Sequence, residues 1–264
     1  MKLPAILAAG SGDTAVVMLH GVGGAKEAWS STVKALSDSG YRAVAWDMPG
    51  YGDSAMIDPY TNEGLARALE ALIDALAAPR TVLLGHSMGG MVAQEAVALF
   101  PHKVSGLILS GTSPAFGTPG GAWQQGFLQS RFAPLDAGRG MAALAAELVP
   151  GMMAAGAGAA THAAAAALMA RVPEAAYRAA LSAIVAFDRR ARLADIRVPT
   201  LALAGEHDRN AAPAVMEKMA ARIPGCEYLC LPGVGHLANM EDPAAFDAAV
   251  LRFLNRHFPR ENAE

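Results

Sequence analysis

The sequence of 264 residues predicts an α/β fold, a mostly parallel twisted sheet with helices on both of its faces. Two observations lead to this fold class. Short apolar, β-branched runs recur along the chain, and segments with helical spacing of their apolar residues lie between them. One run, residues 81–85, leads into the pattern Gly-x-Ser-x-Gly at residues 85–89, and a helix-like run follows at once. In such a sheet the functional groups are expected beyond the carboxyl ends of the strands.

Strands and helices are predicted in alternation along most of the chain. The predicted strands are residues 15–19, 41–46, 81–85, 104–109, 199–204 and 227–231. The predicted helices are residues 26–39, 62–77, 88–100 and 243–258, with Thr61 as an N-cap and Pro243 in a first turn. Residues 3–9 are the only N-terminal segment that could add a strand, so we expect a missing or abbreviated strand there.

The alternation is interrupted at residues 113–185, which contain no convincing strand. A Gly/Pro-rich stretch, residues 113–121, comes first, and three or four short pieces rich in Ala and Met follow. We therefore predict a helical lid (cap) at residues 113–185, inserted into an α/β core formed by residues 1–112 and 186–264. The small side chains of this segment suit a lid that moves.

Composition limits the classes of function. Although 53% of the residues are hydrophobic, Gly, His or charged residues interrupt the longest apolar stretches, and neither a membrane span nor a signal peptide is predicted. A net charge of −3 without a basic run argues against a nucleic-acid partner. Cys226 and Cys230 lie four residues apart in one predicted strand, too far for a relaxed disulfide. We interpret them as buried thiols in a reducing compartment, which predicts a cytoplasmic protein without a metal site.

Ser87 is the candidate nucleophile at the centre of the Gly-x-Ser-x-Gly pattern. A strand before the pattern and a helix after it form the context in which such a serine is nucleophilic. Gly85 and Gly89 flank the turn because a side chain at either place would crowd the bent backbone. The free N–H groups at the start of the helix can stabilise an oxyanion, so the Met88 N–H is one predicted donor. The loop after the first parallel strand supplies the Val22 N–H as the second donor.

A serine hydroxyl needs an adjacent base, and that base needs an orienting acid. Of the seven histidines, His236 is the candidate base because it lies in a Gly-rich loop just after the last predicted strand. The loop after the preceding strand carries two carboxylates, and we choose Asp208 as the acid, with Glu206 as the alternative. His20 is expected to hold its loop by hydrogen bonds rather than to act as the base.

Motifs that agree in order and place are His20-Gly21, residues 47–54, residues 85–89, and Asp208 with His236. In this combination the chain resembles the α/β-hydrolase superfamily over nearly its whole length. The resemblance implies the α/β-hydrolase fold, a Ser-His-Asp catalytic triad and a structural role for residues 47–54. The serine nucleophile argues against haloalkane dehalogenases and epoxide hydrolases, which use Asp at that place.

Within the superfamily, residues 177–200 and 235–243 are similar to the 3-oxoadipate enol-lactonase group, and related carboxylesterases and C–C hydrolases share much of this pattern. The resemblance implies a serine hydrolase, of esterase or lactonase type, that cleaves a small carboxylic ester or lactone through an acyl-enzyme without metal or organic cofactor. An alternative is a C–C bond hydrolase that uses the same triad on ring-fission products, with a carboxylate anchored by Arg131, Arg139, Arg171 or Arg178. Further alternatives are a cofactor-free oxygenase or perhydrolase, and a non-catalytic ligand receptor on the same fold.

A modest and mostly apolar substrate cavity is predicted between the lid and the sheet edge. The residues predicted to line it are Trp29 near the oxyanion loop and, in the lid, Trp123, Phe127, Met141 and Met152. Packing of these lid side chains against the core is the alternative for each of them. The expected partner is a small-molecule ester or lactone, with neither nucleic acid nor membrane, and the oligomeric state is left open.

Overall fold

The computed structural model describes residues 2–118 and 120–259, and a seven-stranded sheet lies at its centre. The strands are β1 (Ile6–Ala9), β2 (Thr14–Leu19), β3 (Arg42–Trp46), β4 (Arg80–His86), β5 (Gly106–Ser110), β6 (Thr200–Gly205) and β7 (Glu227–Leu231). Their order across the sheet is β1-β3-β2-β4-β5-β6-β7. Only β1 is antiparallel to its neighbour, β3, while the other neighbours are parallel. The predicted α/β-hydrolase fold class is therefore confirmed.

The helices occupy the segments between the strands and the end of the described chain. They are α1 (Ser30–Asp38), α2 (Asn62–Leu76), α3 (Met88–Leu99), α4 (Ala122–Asp136), α5 (Gly140–Leu148), α6 (Ala159–Ala170), α7 (Glu174–Val185), α8 (Pro213–Ala220), α9 (Ala238–Glu241) and α10 (Pro243–His257). A 3₁₀-helix, Lys26–Trp29, precedes α1. Within the described residues, no helix is both long enough and apolar enough to cross a membrane.

The core follows from the two-residue period of the strands. All six residues of β2 are buried, and the side chains of residues 15–19 alternate between two apolar clusters. Val17 and Leu19 join the cluster that contains the apolar faces of α2 and α3. Val16 and Met18 join the cluster that contains α1 and α10. Because both faces are covered by helices, the strands read as continuous apolar runs rather than as alternating ones.

One predicted helix is divided in the structure, whereas a predicted cap and a predicted short strand are observed. The predicted helix at residues 26–39 is divided into the 3₁₀-helix and α1. Thr61 caps α2 as predicted, since its hydroxyl oxygen accepts the Gly64 N–H at 3.0 Å. The expected abbreviated N-terminal strand is β1, which pairs with β3 over four residues.

The two cysteines correct one expectation. Both Cys226 and Cys230 are free thiols, but they are half-buried rather than buried. Cys230 lies in β7 and Cys226 directly precedes that strand, which is the last strand of the sheet and has a neighbour on one side only. An edge strand leaves part of its side chains open to solvent.

A helical segment, α4 to α7, lies between the neighbouring strands β5 and β6. The pairing of β5 with β6 runs from Leu107 opposite Thr200 to Ser110 opposite Leu203. An isolated antiparallel bridge between Ala115 and Asp188 joins the two ends of the segment. The chain therefore leaves the sheet and returns to it at adjacent strands.

Candidate active site

Ser87 lies at a sharp turn between β4 and α3. Its backbone has φ 53° and ψ −119°, a left-handed conformation that non-glycine residues rarely adopt. Two hydrogen bonds hold this turn: the Ser87 N–H donates to the Ser110 carbonyl at 2.9 Å, and the Thr112 hydroxyl donates to the Ser87 carbonyl at 2.7 Å. The turn is thus fixed by β5 and by the residues that follow it.

Two glycines allow the backbones around this turn to touch. A Cβ atom at Gly85 would collide with the carbonyl of Gly89, and one at Gly89 would collide with the carbonyl of Leu19. Helix α3 therefore starts directly against β2 and β4, with no room for a side chain. This packing explains the spacing of the two glycines around Ser87 better than their conformational freedom does, since neither has a positive φ.

His236 and Asp208 form a buried pair beyond the ends of β6 and β7. The His236 Nδ1 atom lies 2.8 Å from Asp208 Oδ2. The other carboxylate oxygen, Oδ1, accepts the N–H groups of Asn210 and Ala211 at 2.7 and 2.9 Å. Burial alone would raise the pKa of Asp208, but the nearby His236 and these N–H groups together hold it below its ordinary value. Asp208 is thus an ionised carboxylate that orients the imidazole.

The alternative acid points elsewhere. Glu206 is exposed, and its carboxylate accepts the Gly233 N–H at 2.8 Å and lies 3.8 Å from His207. His207 is likewise exposed. The structure therefore brings Asp208, and not Glu206, to His236.

The loop after β2 is held by His20. The Met48 N–H donates to His20 Nε2 at 3.0 Å, so the ring carries its proton on Nδ1 and donates to the Gly21 carbonyl at 2.8 Å. Burial lowers the pKa of His20, which keeps the ring neutral. The Tyr51 hydroxyl donates to the Val22 carbonyl at 3.0 Å. These contacts fix the two peptide groups on either side of Val22.

Residues 47–54 support the same loop. The buried Asp47 carboxylate accepts the Lys26 N–H at 2.9 Å and forms an ion pair with the Lys26 ammonium group. The Ser54 hydroxyl donates to the Asp47 carbonyl at 2.7 Å. This turn is therefore held by a hydrogen bond within it and is tied by Asp47 to the backbone and side chain of Lys26.

The two predicted oxyanion donors have free N–H groups. Among the described residues, neither the Val22 N–H nor the Met88 N–H has an intramolecular hydrogen-bond partner. Val22 and Ser87 line the same two cavities, and Met88 is the first residue of α3. Unpaired N–H groups at a helix start suit an oxygen that gains negative charge.

The larger cavity has a volume of about 730 Å³, and Ser87 and His236 both line it. Of the predicted pocket residues, Trp123, Phe127 and Met152 line this cavity. A smaller cavity of about 60 Å³ lies on the side of the oxyanion loop; Ser87, His236 and Met152 line it too, together with Trp29. Ser87 and His236 thus line both the larger and the smaller cavity.

The structure places Met141 away from both cavities. This residue of α5 is only 8% exposed and belongs to the larger apolar cluster. It packs against the core, which was the alternative for each lid residue. In the described residues, the Ser87 hydroxyl makes no hydrogen bond, so its relation to His236 rests on the cavities that both line.

A third histidine lies beside the pair. The ring of His86 is 4.7 Å from the ring of His236, centroid to centroid. Burial, followed by the charge of His236, lowers the pKa of His86 to about 3. Its Nδ1 atom is buried and has no hydrogen-bond partner among the described residues. His86 therefore remains neutral near pH 7 and packs against the imidazole of His236.

Sequence reasoning missed Glu241. Its carboxylate accepts the N–H groups of Gly235 and Leu237, on either side of His236, at 2.9 and 3.0 Å. It also accepts the Ala154 N–H, 87 residues away in the chain, at 2.8 Å. No local pattern indicates a contact over this separation. No group of three or more potential metal ligands lies together in the part of the chain that the structure describes.

The chain is similar to known hydrolases in sequence and in fold. The sequence profile of the alpha/beta hydrolase family matches residues 16–249. The pimeloyl-[acyl-carrier protein] methyl ester esterase of Edwardsiella ictaluri is 32% identical over 249 residues, 92% of this chain and 94% of that protein. The 2-hydroxy-6-oxo-6-phenylhexa-2,4-dienoate hydrolase of Comamonas testosteroni is 36% identical over 132 residues, 48% of this chain and 42% of that protein. The solved enol-lactonase from Burkholderia xenovorans LB400 has a TM-score of 0.83 and 27% identity, covering 95% of this chain and 96% of that one.

Proposed function

The chain belongs to the alpha/beta hydrolase family, and from this membership we propose that it is a serine hydrolase that cleaves a small carboxylic ester or lactone. The observation that carries the proposal is the 2.8 Å contact of His236 Nδ1 with Asp208, in a loop that lines the cavities of Ser87. The named activities of the esterase and enol-lactonase relatives support the substrate class.

In the proposed mechanism His236 is the general base. Its Nδ1 atom faces Asp208, so Nε2 is left to accept the proton of the Ser87 hydroxyl. The Ser87 oxygen attacks the substrate carbonyl and forms an acyl-enzyme as the alcohol leaves with that proton. Water, activated by His236 in the same way, then releases the acid and restores Ser87.

The Val22 and Met88 N–H groups are the proposed oxyanion donors. The proposal is supported by the lack of a hydrogen-bond partner for either N–H among the described residues. It is also supported by the two cavities that Val22 and Ser87 both line, and by Met88 being the first residue of α3. Loss of one such donor typically costs about 3 kcal/mol of transition-state stabilisation. The contacts of His20 and Tyr51 around Val22 would keep this donor in place before substrate arrives.

We further propose that the helical segment α4 to α7 acts as a lid. Trp123 and Phe127 of α4 line the larger cavity together with Ser87, which supports this role. Substrate bound below them would be removed from bulk water. A small-molecule substrate fits a cavity of about 730 Å³. A cytoplasmic location, predicted from the free thiols, stays a prediction.

A C–C bond hydrolase is the second candidate function. The partial similarity to the Comamonas testosteroni dienoate hydrolase favours it. The same serine, histidine and aspartate would serve, but the products would come from a carbon–carbon bond. A panel of enol-lactones, simple esters and ring-fission dienoates separates the two functions by the substrate with the highest kcat/KM.

The test of the proposed function is labelling by a fluorophosphonate, combined with hydrolysis of short-chain aryl esters. We expect the unmodified protein to react and Ser87→Ala to lose both labelling and hydrolysis. Ser182→Ala, which changes an exposed serine on α7, is the matched control and should behave like the unmodified protein. Unchanged hydrolysis by Ser87→Ala would overturn the proposal.

The base is tested in the same assay. We expect His236→Ala to lose nearly as much activity as Ser87→Ala, because the serine then has no proton acceptor. His207→Ala, at an exposed histidine, is the control. An active His236→Ala with an inactive His207→Ala would reverse the assignment of the base.

A further inference from the structure

Arg131 is a cation in the wall of the larger cavity. It lies on α4, and the same cavity is lined by Ser87 and His236. The guanidinium carbon lies 3.9 Å from the centre of the Phe127 ring, and one Nη atom donates to the Ser130 hydroxyl at 2.7 Å. Tyr177 also interacts electrostatically with this cation, but burial raises the pKa of Tyr177 to about 12 and keeps its hydroxyl neutral. Among the described residues, the partners of Arg131 are therefore neutral, and most of its five N–H donors have no acceptor.

The other arginines of the helical segment are each paired with a carboxylate. Arg139 lies 3.1 Å from Glu147, Arg171 lies 3.6 Å from Glu27, and Arg178 lies 2.6 Å from Asp136. Arg131 has no carboxylate within 4 Å among the residues that the structure describes. It is therefore the arginine of this segment whose charge is not balanced by a carboxylate of the described residues.

The remaining charges at the cavity strengthen this imbalance. Arg209 also lines the cavity without a carboxylate partner among the described residues, whereas the carboxylate of Glu147 is engaged by Arg139. The Asp208 carboxylate does not line the cavity and is engaged by His236. Burial lowers the pKa of Arg131, which indicates that its charged form is partly desolvated. An anion bound beside Arg131 would restore the stabilisation that the charged guanidinium group loses on burial.

We propose that Arg131 forms an anion subsite of the larger cavity, and that the substrate carries a carboxylate remote from the carbonyl that Ser87 attacks. This inference rests on the proposed ester or lactone hydrolysis. A carboxylate suits the site because a guanidinium group binds it through two parallel hydrogen bonds. The apolar wall provided by Trp123, Phe127 and Leu181 would contact the hydrocarbon chain between the two ends of the substrate.

The experiment compares two series of substrates that differ only in this charge. Monomethyl esters of linear dicarboxylic acids are matched with methyl esters of monocarboxylic acids of the same chain length. At the best length we expect kcat/KM to be at least about tenfold higher for the charged ester, a preference that falls as salt screens the pair. We expect the ratio of kcat/KM for the charged ester to kcat/KM for the uncharged ester to fall towards one in Arg131→Gln. In Arg131→Glu we expect this ratio to fall below one.

Two matched variants test the assignment to Arg131. Arg171→Gln removes a lid arginine outside the cavity and should keep the ratio of the unmodified protein. Arg209→Gln removes the second cation of the cavity and should lower the ratio less than Arg131→Gln does. A ratio near one in the unmodified protein at every chain length, or a larger loss in Arg209→Gln, would overturn the proposal.

Binding to an inactive variant separates the subsite from the chemistry. We expect calorimetry to show that Ser87→Ala binds the half-ester at least about tenfold more tightly than Ser87→Ala/Arg131→Gln. Equal binding would overturn the anion subsite while leaving the proposed hydrolysis intact. Hydrolysis that survives in Ser87→Ala would instead overturn the proposed function, and the effect of Arg131→Gln on half-ester binding would still decide the subsite.

Discussion

The carboxylate of Glu241 accepts the backbone N–H of Ala154 at 2.8 Å, and this bond joins the loop of His236 to the helical segment above it. In a second hydrogen bond between the same two segments, the loop is the donor: the His236 N–H donates to the carbonyl of Met152 at 2.7 Å. The candidate base is therefore held by the same segment whose residues line the larger cavity. Movement of that segment would change the position of the imidazole.

Replacement of Glu241 should lower turnover without removing the nucleophile. Glu241→Gln keeps one acceptor oxygen but turns the other into a donor that faces an N–H group, so at least one of the three bonds is lost. We expect kcat on aryl esters to fall about tenfold, the effect of losing about 1.4 kcal/mol of transition-state stabilisation. KM should change less, because Glu241 does not line either cavity.

The rate of Ser87 labelling by a fluorophosphonate is the second readout for Glu241. It should fall in parallel with kcat, since both depend on the orientation of His236. Glu217→Gln, a carboxylate on α8, is the control for the chemical change alone. A Glu241→Gln variant with unchanged kcat and labelling would show that the loop keeps its position without these bonds.

His86 should make the protein less stable in acid. The unfolded chain binds a proton at this histidine with a pKa near 6.5, whereas the folded protein binds it only near pH 3. Protons therefore favour unfolding, and the stability present above pH 6.5 is lost as the pH falls towards 3. For this group alone, the free energy of unfolding should drop by about 2 kcal/mol between pH 7 and pH 5.

The variant His86→Phe removes this titration and keeps a ring beside His236. We expect urea unfolding to show a smaller loss of stability between pH 7 and pH 5 than in the unmodified protein, by about 2 kcal/mol. His102→Phe, at an exposed histidine, should leave the pH dependence as it is. An equal loss of unfolding free energy between pH 7 and pH 5 in the unmodified protein and in His86→Phe would contradict a lowered pKa for His86.

A methyl group should be far more harmful at Gly89 than at Gly126. At Gly89 a Cβ atom would overlap the backbone of Leu19, so Gly89→Ala should lower the melting temperature and yield little folded protein. Gly126 lies within α4 with no atom within 4 Å of the added Cβ. Gly126→Ala should therefore stabilise the protein, by up to about 1 kcal/mol. Thermal unfolding of both variants checks the order.

Glu95 and Arg189 form an ion pair in which truncation of Arg189 should destabilise the protein more than truncation of Glu95. Arg189 Nε donates to Glu95 at 2.6 Å, and the Glu95 side chain is 4% exposed against 31% for Arg189. Arg189→Ala leaves a buried carboxylate unpaired and should cost about 3 kcal/mol of stability. Glu95→Ala leaves a cation that can still reach water and should cost less. In urea unfolding, the double variant should lose less than the sum of the two, and strict additivity would show that the pair contributes nothing.

The fold could be predicted because its signals are local. Buried strands such as β2 and the cap of α2 at Thr61 follow from a few adjacent residues, and the structure confirms both. The order Ser87, Asp208, His236 likewise depends on motifs within a few residues of each strand end. The observed Asp208–His236 contact agrees with that order, whereas the catalytic role of the three residues stays a prediction.

The contacts of the helical segment α4 to α7 could not be predicted because they join distant parts of the chain. Alanine-rich helices such as α6 have no distinct apolar face, so the sequence does not indicate which side packs against the core. Met141 shows this, since its type gave no way to distinguish the cavity wall from the interior. The missing partner of Arg131 is also invisible in sequence, because it depends on where every carboxylate of the fold lies.

The chain leaves the sheet after β5 and returns in β6, two strands that pair directly. Every strand-to-strand bond of the sheet is therefore complete without the intervening helices. The segment α4 to α7 could therefore be replaced by a different segment. Such a replacement would leave the strand order of the sheet and the position of Ser87 unchanged. The new segment would have to provide a carbonyl for the His236 N–H and an N–H for Glu241, as Met152 and Ala154 do. New substrate ranges could thus arise from changes in this segment alone.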